Sequence, residues 1–319
     1  MSGTAGAADE AARVDCAVLL VTYNSVADVG GLLDSLPAAA AGLTLRTVVV
    51  DNGSTDGTVE LLRGRHDVRL VEAGANLGYA GGINLARRHA GPCALVLVVN
   101  PDLTLAPGMI AELAEVLRDP AVGVAVPMIL NPDGGLEQSL RREPSLSRAI
   151  GDALMGRHLP WRPHWLSEMV RSDRAYASRR SVDWATGAAA LISAACDAAV
   201  GPWDECFFLY SEEVDHAARV RAAGFRIEYV PTARVRHRAG GSGASDALVA
   251  LMAVNRVRYV AKRGRGAGAF RVVVALHELL RARDPSHRLA LRTVLNRSRW
   301  EALPGGPAST GPAATNGRR

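Results

Sequence analysis

The feature that most constrains this chain is a regular alternation in its first 126 residues. Short apolar, β-branched runs at 16–21, 45–50, 68–71, 94–99 and 122–126 take turns with amphipathic segments at 26–36, 55–63, 79–89 and 107–117. The former predict strands and the latter helices, the first helix ending before Pro37 and the fourth opening on Pro107. Strands joined through helices pair in parallel and are covered by helices on both faces. The fold class is therefore α/β, with a mostly parallel sheet. Such sheets meet their ligands at the carboxyl ends of the strands. That rule puts Thr22-Tyr23-Asn24, Asp51-Asn52-Gly53 and Asn100-Pro101-Asp102 on one rim.

The second half is less regular. Residues 128–182 are rich in Pro, Arg and Trp and hold a turn signal, NPDGG, at 131–135. They predict a hairpin followed by a loop over a site. Residues 182–192 read as a return to the sheet. Residues 211–223 form a helix opened by Ser211 with Gly224 at its end, and 226–230 a strand closed by Pro231. Beyond Asp246, basic amphipathic helices are expected over roughly 246–262, 269–283 and 286–300. The expected division is a disordered 1–14, a sheet domain over 15–245, a basic helical extension over 246–303, and a disordered Gly-, Pro- and Ala-rich tail over 304–319.

Composition narrows the class. With 48% hydrophobic and 22% charged residues, wholesale disorder and fibrous repeats are excluded. No apolar run reaches the ~20 uncharged residues a spanning helix needs. The N-terminus, MSGTAGAADEAARVD, has acids where a secretion leader has bases. Cys16, Cys93, Cys196 and Cys206 lie far apart, which argues against a zinc site or a disulfide framework and fits a reducing compartment. Cys16 and Cys93 read as buried small hydrophobes. A cytoplasmic location follows as an expectation.

Charge is unevenly placed. Residues 1–216 carry 27 acids and 17 bases, whereas 217–319 carry 20 bases and 5 acids, Lys262 being the one lysine. A basic end on an acidic body suggests an anionic partner, or simply a solvated Arg-rich face. Aromatic residues make up 5% and do not interleave the basic runs, so nucleic acid is not the expected partner.

Several residues carry chemistry on their own account. Asp51 opens DNGSTDGT at a strand end, where it serves either as a turn former or as an acceptor for a base N–H or ribose hydroxyl. Asp102, after LVLVVNP, suits a hard divalent cation, which takes one or two carboxylates and fills its shell with phosphate and water. A helix cap is the equal alternative. Glu212, Glu213 and Asp215 crowd one helix start after FFLY. There they serve the helix dipole or supply a general base. Helical geometry puts Val214, Ala217 and Ala218 on the buried face and Glu212, Asp215, His216 and Arg219 on the other, with Glu213 at the boundary. His237, among bases after a strand, is structural, a metal ligand or a phosphate contact. The glycines of GANLGYAGGIN follow the third strand, not the first, so a dinucleotide fingerprint is a poor match. A glycine-rich helix start can still lie against a pyrophosphate.

The order of these signals is more telling than any one of them. VTYN, VVVDNGSTDGT, ANLGYAGGIN, VVNPD, WATGAA and FFLYSEEVDHAARVRAAG, then a strand and a histidine, resemble the family 2 glycosyltransferases of GT-A fold over about residues 16–240. LVEAGANLGYAGGIN and NPDGG…EPSL look like bacterial rhamnosyltransferases, above all actinobacterial ones that add L-rhamnose to polyprenyl-diphosphate-linked N-acetylglucosamine. The resemblance implies that Thr22, Tyr23, Asn24 and Asp51 hold the nucleotide, with Asn76, Gly78, Asn84 and Asn100 along the sugar nucleotide. It implies Asp102 and His237 as ligands of Mg2+ or Mn2+, and Trp184 and Gly187 at the border of the acceptor pocket. Glu213 stands where the family usually has its catalytic Asp, with Asp215 as the following acid. The activity implied is an inverting transfer from a nucleotide-sugar donor, dTDP-L-rhamnose, to a glycan or polyprenyl-diphosphate-sugar acceptor. Under that reading the basic C-terminal helices would rest on the anionic inner face of the membrane. The competing reading is a degenerate, non-catalytic member that binds sugar nucleotide or lipid, and Glu213 in place of Asp is the feature that favours it.

Overall fold

The computed structural model describes residues 13–155, 163–238, 245–264 and 266–304. Of the disorder expected at 1–14 and 304–319, residues 1–12 and 305–319 lie outside the described ones, and Val14 already opens the first strand. The first half runs β1 (Val14–Thr22), α1 (Val29–Ala40), β2 (Leu45–Asp51), α2 (Thr58–Arg63), β3 (Val68–Glu72), α3 (Gly78–His89) and β4 (Cys93–Val99). There follow β5 (Leu103–Leu105), α4 (Met109–Val116), β6 (Val122–Leu130), β7 (Leu140–Arg141), α5 (Leu146–Met155), α6 (Asp173–Tyr176), β8 (Arg180–Ser181) and β9 (Trp184–Ala185). Then come β10 (Ala189–Ser193), α7 (Ala194–Val200), α8 (Glu212–Ala222) and β11 (Arg226–His237). Last are α9 (Asp246–Lys262), α10 (Ala267–Leu280) and α11 (Pro285–Leu295).

The main sheet has the order β3-β2-β1-β4-β10-β6-β11-β5, with β8 also on β11. β1 to β4 are parallel, as the alternation requires. β10 enters antiparallel between β4 and β6, and β11 is parallel to β6. Every residue of β1 from Cys16 to Thr22 is buried, the mark of a strand covered on both faces. Val18, Leu20, Leu33, Val49, Leu97 and Leu191 are core members, each fully buried. Cys16 and Cys93 are buried and unbridged, as read, and burial pushes the Cys16 thiol up to about 12.

Three sequence expectations need correction. α1 does not stop before Pro37 but continues to Ala40. Leu36, Ala39 and Ala40 are buried, and their packing holds the last turn although Pro37 supplies no N–H. β11 runs past Pro231 to His237, its ladder broken by a register shift between Val230 and Arg234 that absorbs the proline. Residues 146–155 form α5 where a loop was expected. Gly151 in mid-helix obscured it, and a Cβ there would meet the Leu166 carbonyl oxygen at 2.0 Å, so glycine is what lets that backbone approach.

The chain divides into two compact units. One comprises the described residues of Met1–Glu143, Met169–Trp203 and Glu213–Ser242, and the other those of Pro144–Glu168, Asp204–Glu212 and Gly243–Arg319. The sheet belongs to the first. The second is helical, with α9, α10 and α11 packed together and α5 against α10.

Candidate active site

Strand pairing assembles the rim. Thr22 faces Asp51, Leu20 faces Val99, and Val99 faces Ala189, so the ends of β1, β2 and β4 and the start of β10 share one sheet edge. Asp51 is buried there, and its carboxylate is heavily engaged. Oδ1 accepts from Thr22 Oγ1 at 3.0 Å and Ser54 Oγ at 2.5 Å, while Oδ2 accepts the N–H groups of Gly53 at 3.0 Å and Ser54 at 2.8 Å. Four such bonds make Asp51 the organiser of its loop, the turn-forming alternative. Asn24 sits in the left-handed region at φ 52° and accepts the Thr55 N–H on Oδ1 at 2.8 Å. Tyr23 is 54% exposed beside it.

The next loop is fixed in the same manner. Asn76 Oδ1 accepts the Gly78 N–H at 3.0 Å, and the Gly78 carbonyl accepts from Asn52 Nδ2 at 2.9 Å. Asn52 is buried; the sequence places it on the rim but gives it no role. Asn84 clamps Trp203: Nδ2 donates to its carbonyl and Oδ1 accepts its N–H, both at 2.9 Å. Gly82 answers to packing, since a Cβ there would lie 2.6 Å from Val21 Cγ1.

Asn100 donates its N–H to the Ala188 carbonyl at 2.9 Å, tying the end of β4 to the approach of β10. Pairing of β5 with β11 sets His237 opposite Leu103 and so beside Asp102. His237 Nε2 lies 3.0 Å from Asp102 Oδ2, and Nδ1 lies 2.9 Å from Glu137 Oε2. The bond to Asp102, then that to Glu137, outweighs burial and raises the imidazole to about 10. Glu137 was missed because it follows the NPDGG turn in a stretch without periodicity; its N–H donates to Ile129 across the hairpin at 2.9 Å. Asp102 Oδ1 is buried with no hydrogen-bond partner among the described residues. No three His, Cys, Asp or Glu among the described residues form a metal-holding group. Asp102, His237 and Glu137 are instead strung with the imidazole in the middle, both ring nitrogens engaged by carboxylates, so Asp102 Oδ1 is the donor left to offer a cation.

α8 departs from the expected two-faced pattern. Glu212, Asp215 and His216 are all buried, so the face read as exposed is covered too. Asp215 is satisfied by Arg219, whose Nε lies 3.0 Å from Oδ2, and Arg219 Nη1 donates to the Val200 carbonyl at 2.7 Å. His216 stacks on Trp203 with centroids 4.3 Å apart and rings 9° from parallel. Burial, then Arg219, lowers it to about 3, so it is neutral. Glu213 is only half-buried. A Cβ on Gly187 would be 3.6 Å from Glu213 Cβ, and the Gly187 carbonyl accepts from Tyr79 Oη at 3.3 Å. Thr186, Gly187, Trp203, Glu213 and His216 border one small cavity. Trp184 is not among its lining; buried nearby in sequence, it donates its indole N–H to the Arg142 carbonyl at 2.9 Å. The rim therefore joins Thr22, Asp51, Asn100 and Gly187, with Glu213 against Gly187 and the Asp102–His237 pair beyond Asn100.

A mostly parallel sheet with this strand order and a carboxylate-bearing rim defines a GT-A fold. The mannosyltransferase PcManGT from Pyrobaculum calidifontis, solved with GDP-Man and Mn2+, shares it at a TM-score of 0.54 and 20% identity, over 93% of this chain and 78% of that one. GalNAc-T7, solved with UDP, GalNAc and Mn2+, does so at 0.54 and 16% identity, over 78% of this chain and 48% of that one. Residues 17–187 match Glycosyl transferase family 2, and the chain belongs to that family. It is 34% identical over 300 residues to the N-acetylglucosaminyl-diphospho-decaprenol L-rhamnosyltransferase of Mycobacterium tuberculosis, covering 90% of this chain and 96% of that protein. The low-salt glycan biosynthesis hexosyltransferase Agl10 of Haloferax volcanii is 29% identical over 217 residues, covering 67% and 64%.

Proposed function

We propose that this glycosyltransferase moves L-rhamnose from dTDP-L-rhamnose to a hydroxyl of N-acetylglucosamine carried on a polyprenyl diphosphate, inverting the anomeric centre. The observation that carries this is the near end-to-end similarity to the mycobacterial rhamnosyltransferase. Glu213 acts as the general base: it takes the proton from the acceptor hydroxyl as that oxygen bonds to the anomeric carbon and the bond to the diphosphate breaks. One displacement on one face gives inversion, and no second carboxylate has to protonate the leaving group. Asp215, held by Arg219, is a positioning residue for α8. Tyr23 covers the base, while Thr22, Asn24 and Asp51 shape the loop that receives the nucleotide. Asn76, Gly78 and Asn100 border the diphosphate and sugar, Asn84 acts through Trp203, Gly187 borders the acceptor, and Trp184 braces the neighbouring strand through the Arg142 carbonyl.

Asp102 would hold a Mg2+ or Mn2+ ion through its buried, unpartnered Oδ1, and His237 would join it only on giving up the Nε2 proton and the contact with Asp102 Oδ2. When bound, the ion would supply positive charge that stabilises the departing diphosphate. Among the described residues no helix is long and apolar enough to cross a membrane. We place the chain in the cytoplasm, at the inner face of the membrane that holds the acceptor.

The test is a mass-spectrometric transfer assay. dTDP-L-rhamnose, UDP-galactofuranose and UDP-N-acetylglucosamine are each offered with Mg2+ or Mn2+ and a short polyprenyl-diphosphate N-acetylglucosamine. One deoxyhexose gained from the rhamnose donor only, and lost with EDTA, is expected. Transfer from another donor, or from none, would refute the assignment.

A further inference from the structure

Exposed large apolar side chains are unequally shared between the two compact units. Of thirteen among the described residues, ten lie in the second, helical unit. α5 buries Ala149 and Ala153 on one side, yet Leu146, Ile150 and Leu154 follow one another at intervals of four on the other and are 41%, 38% and 62% exposed. The neighbouring α10 repeats the arrangement. It buries Phe270, Val274 and Ala275, while Val272, Leu276, Leu279 and Leu280 are 37–68% exposed. Two adjoining helices that are apolar on both sides have one more apolar face than their own core uses. Trp165, in the 164–166 turn that packs on α5, is 58% exposed.

Within the two helices no acid is exposed, although the exposed Asp284 follows Arg283 as the cap of α11. The acid of α10, Glu278, is buried and held by His277 at 2.9 Å and His287 at 2.6 Å. The acid of α5, Asp152, is half-buried and accepts the Glu168 N–H at 3.4 Å. The bases Arg148, Arg281 and Arg283 lie in or directly after the two helices. Leucine stripes flanked by arginine, without an exposed acid in either helix and with a tryptophan nearby, match the interfacial layer of an anionic bilayer.

We propose that the α5–α10 face inserts into the headgroup–acyl boundary of an anionic membrane. This deepens the lipid-linked acceptor reading by naming the surface that meets the lipid. It also separates insertion from adsorption of a basic surface, because salt near 1 M shortens the screening length to about 3 Å and strips the latter.

The full-length chain is sedimented with vesicles of phosphatidylcholine, alone or mixed with phosphatidylglycerol, at about 0.1 M and about 1 M salt. Binding to the mixed vesicles is expected, with most of it surviving high salt. L276E/L279E and, separately, L154E weaken it by about ten-fold or more while leaving the thermal transition in place. No vesicle binding, complete release at high salt, or binding unchanged in both variants would overturn the proposal. So would a wild-type dimer in solution that the variants split, since a second copy would then cover the face. Transfer to a water-soluble, short-chain acceptor is read alongside and should be unaltered in the variants. Its absence, with vesicle binding intact, would count against the transferase reading and leave the membrane face standing.

Discussion

Asn255 offers a prediction whose size can be worked from the structure. It is fully buried in α9, and its Nδ2 lies 2.6, 2.9 and 3.1 Å from the carbonyl oxygens of Phe207, Leu209 and Tyr210. That segment is strained: Phe208, Tyr210 and Ser211 have φ of 62°, 67° and 72°, in the left-handed region that costs a non-glycine residue about 1 kcal/mol or more. Replacing Asn255 with Leu keeps the bulk and the helix propensity but removes both donors. A buried carbonyl left without a partner costs about 1–3 kcal/mol. Two donors shared by three carbonyls, offset by the better burial of Leu, give a loss of about 3 kcal/mol. Urea unfolding followed by circular dichroism should show a midpoint lower by about 1 M or more. Asn255→Asp, which keeps the shape but puts an acceptor where donors are needed, should lose at least as much. A loss below about 1 kcal/mol in both variants would refute the reasoning, since the strained turn would then hold itself.

Three further outcomes follow from single residues. Burial holds His216 neutral with a pKa near 3, whereas the unfolded chain protonates it below about 6.5. Its contribution is therefore intact above pH 6.5 and lost as pH falls toward 3, at about 2 kcal/mol by pH 5. His216→Phe, which keeps the stack on Trp203, should lose less stability than wild type between pH 7 and pH 5 in urea titrations. Gly151→Ala drives a methyl into the Leu166 carbonyl and should destabilise by about 1–3 kcal/mol, read as a lowered thermal midpoint. Glu137→Gln removes a charged acceptor from His237, so the imidazole pKa followed by NMR in metal-free protein should fall from about 10 yet stay above the ordinary value, because Asp102 remains.

Much of the fold could be read from the chain because its signals are local. The strand–helix alternation and the turn at 131–135 need only near neighbours, and both stand as read. What escaped depends on partners distant in sequence. Residues 146–155 carry a helical pattern, but Gly151 argues against it until the Leu166 backbone that demands glycine is known. α8 reads as two-faced on a helical wheel, yet Trp203 and Arg219 cover its polar side. Within the site, Asp51, Asp102 and Glu213 are found by strand-end position and acid crowding. Glu137 is found only when a hairpin brings it to His237, and Asn52, placed on the rim by sequence, shows its role only when a loop brings it to Gly78. Asn84 is reached only through the family resemblance, and nothing in its neighbourhood announces Trp203, 119 residues away.

The most direct test of the central claim is the single-turnover transfer rate of Glu213→Gln, with donor binding measured by calorimetry on the same protein. If Glu213 removes the acceptor proton, the substitution leaves donor affinity within a few-fold of wild type and lowers transfer by about 10²-fold or more. Transfer at the wild-type rate with Gln at this position would contradict the account and move the base elsewhere on the rim.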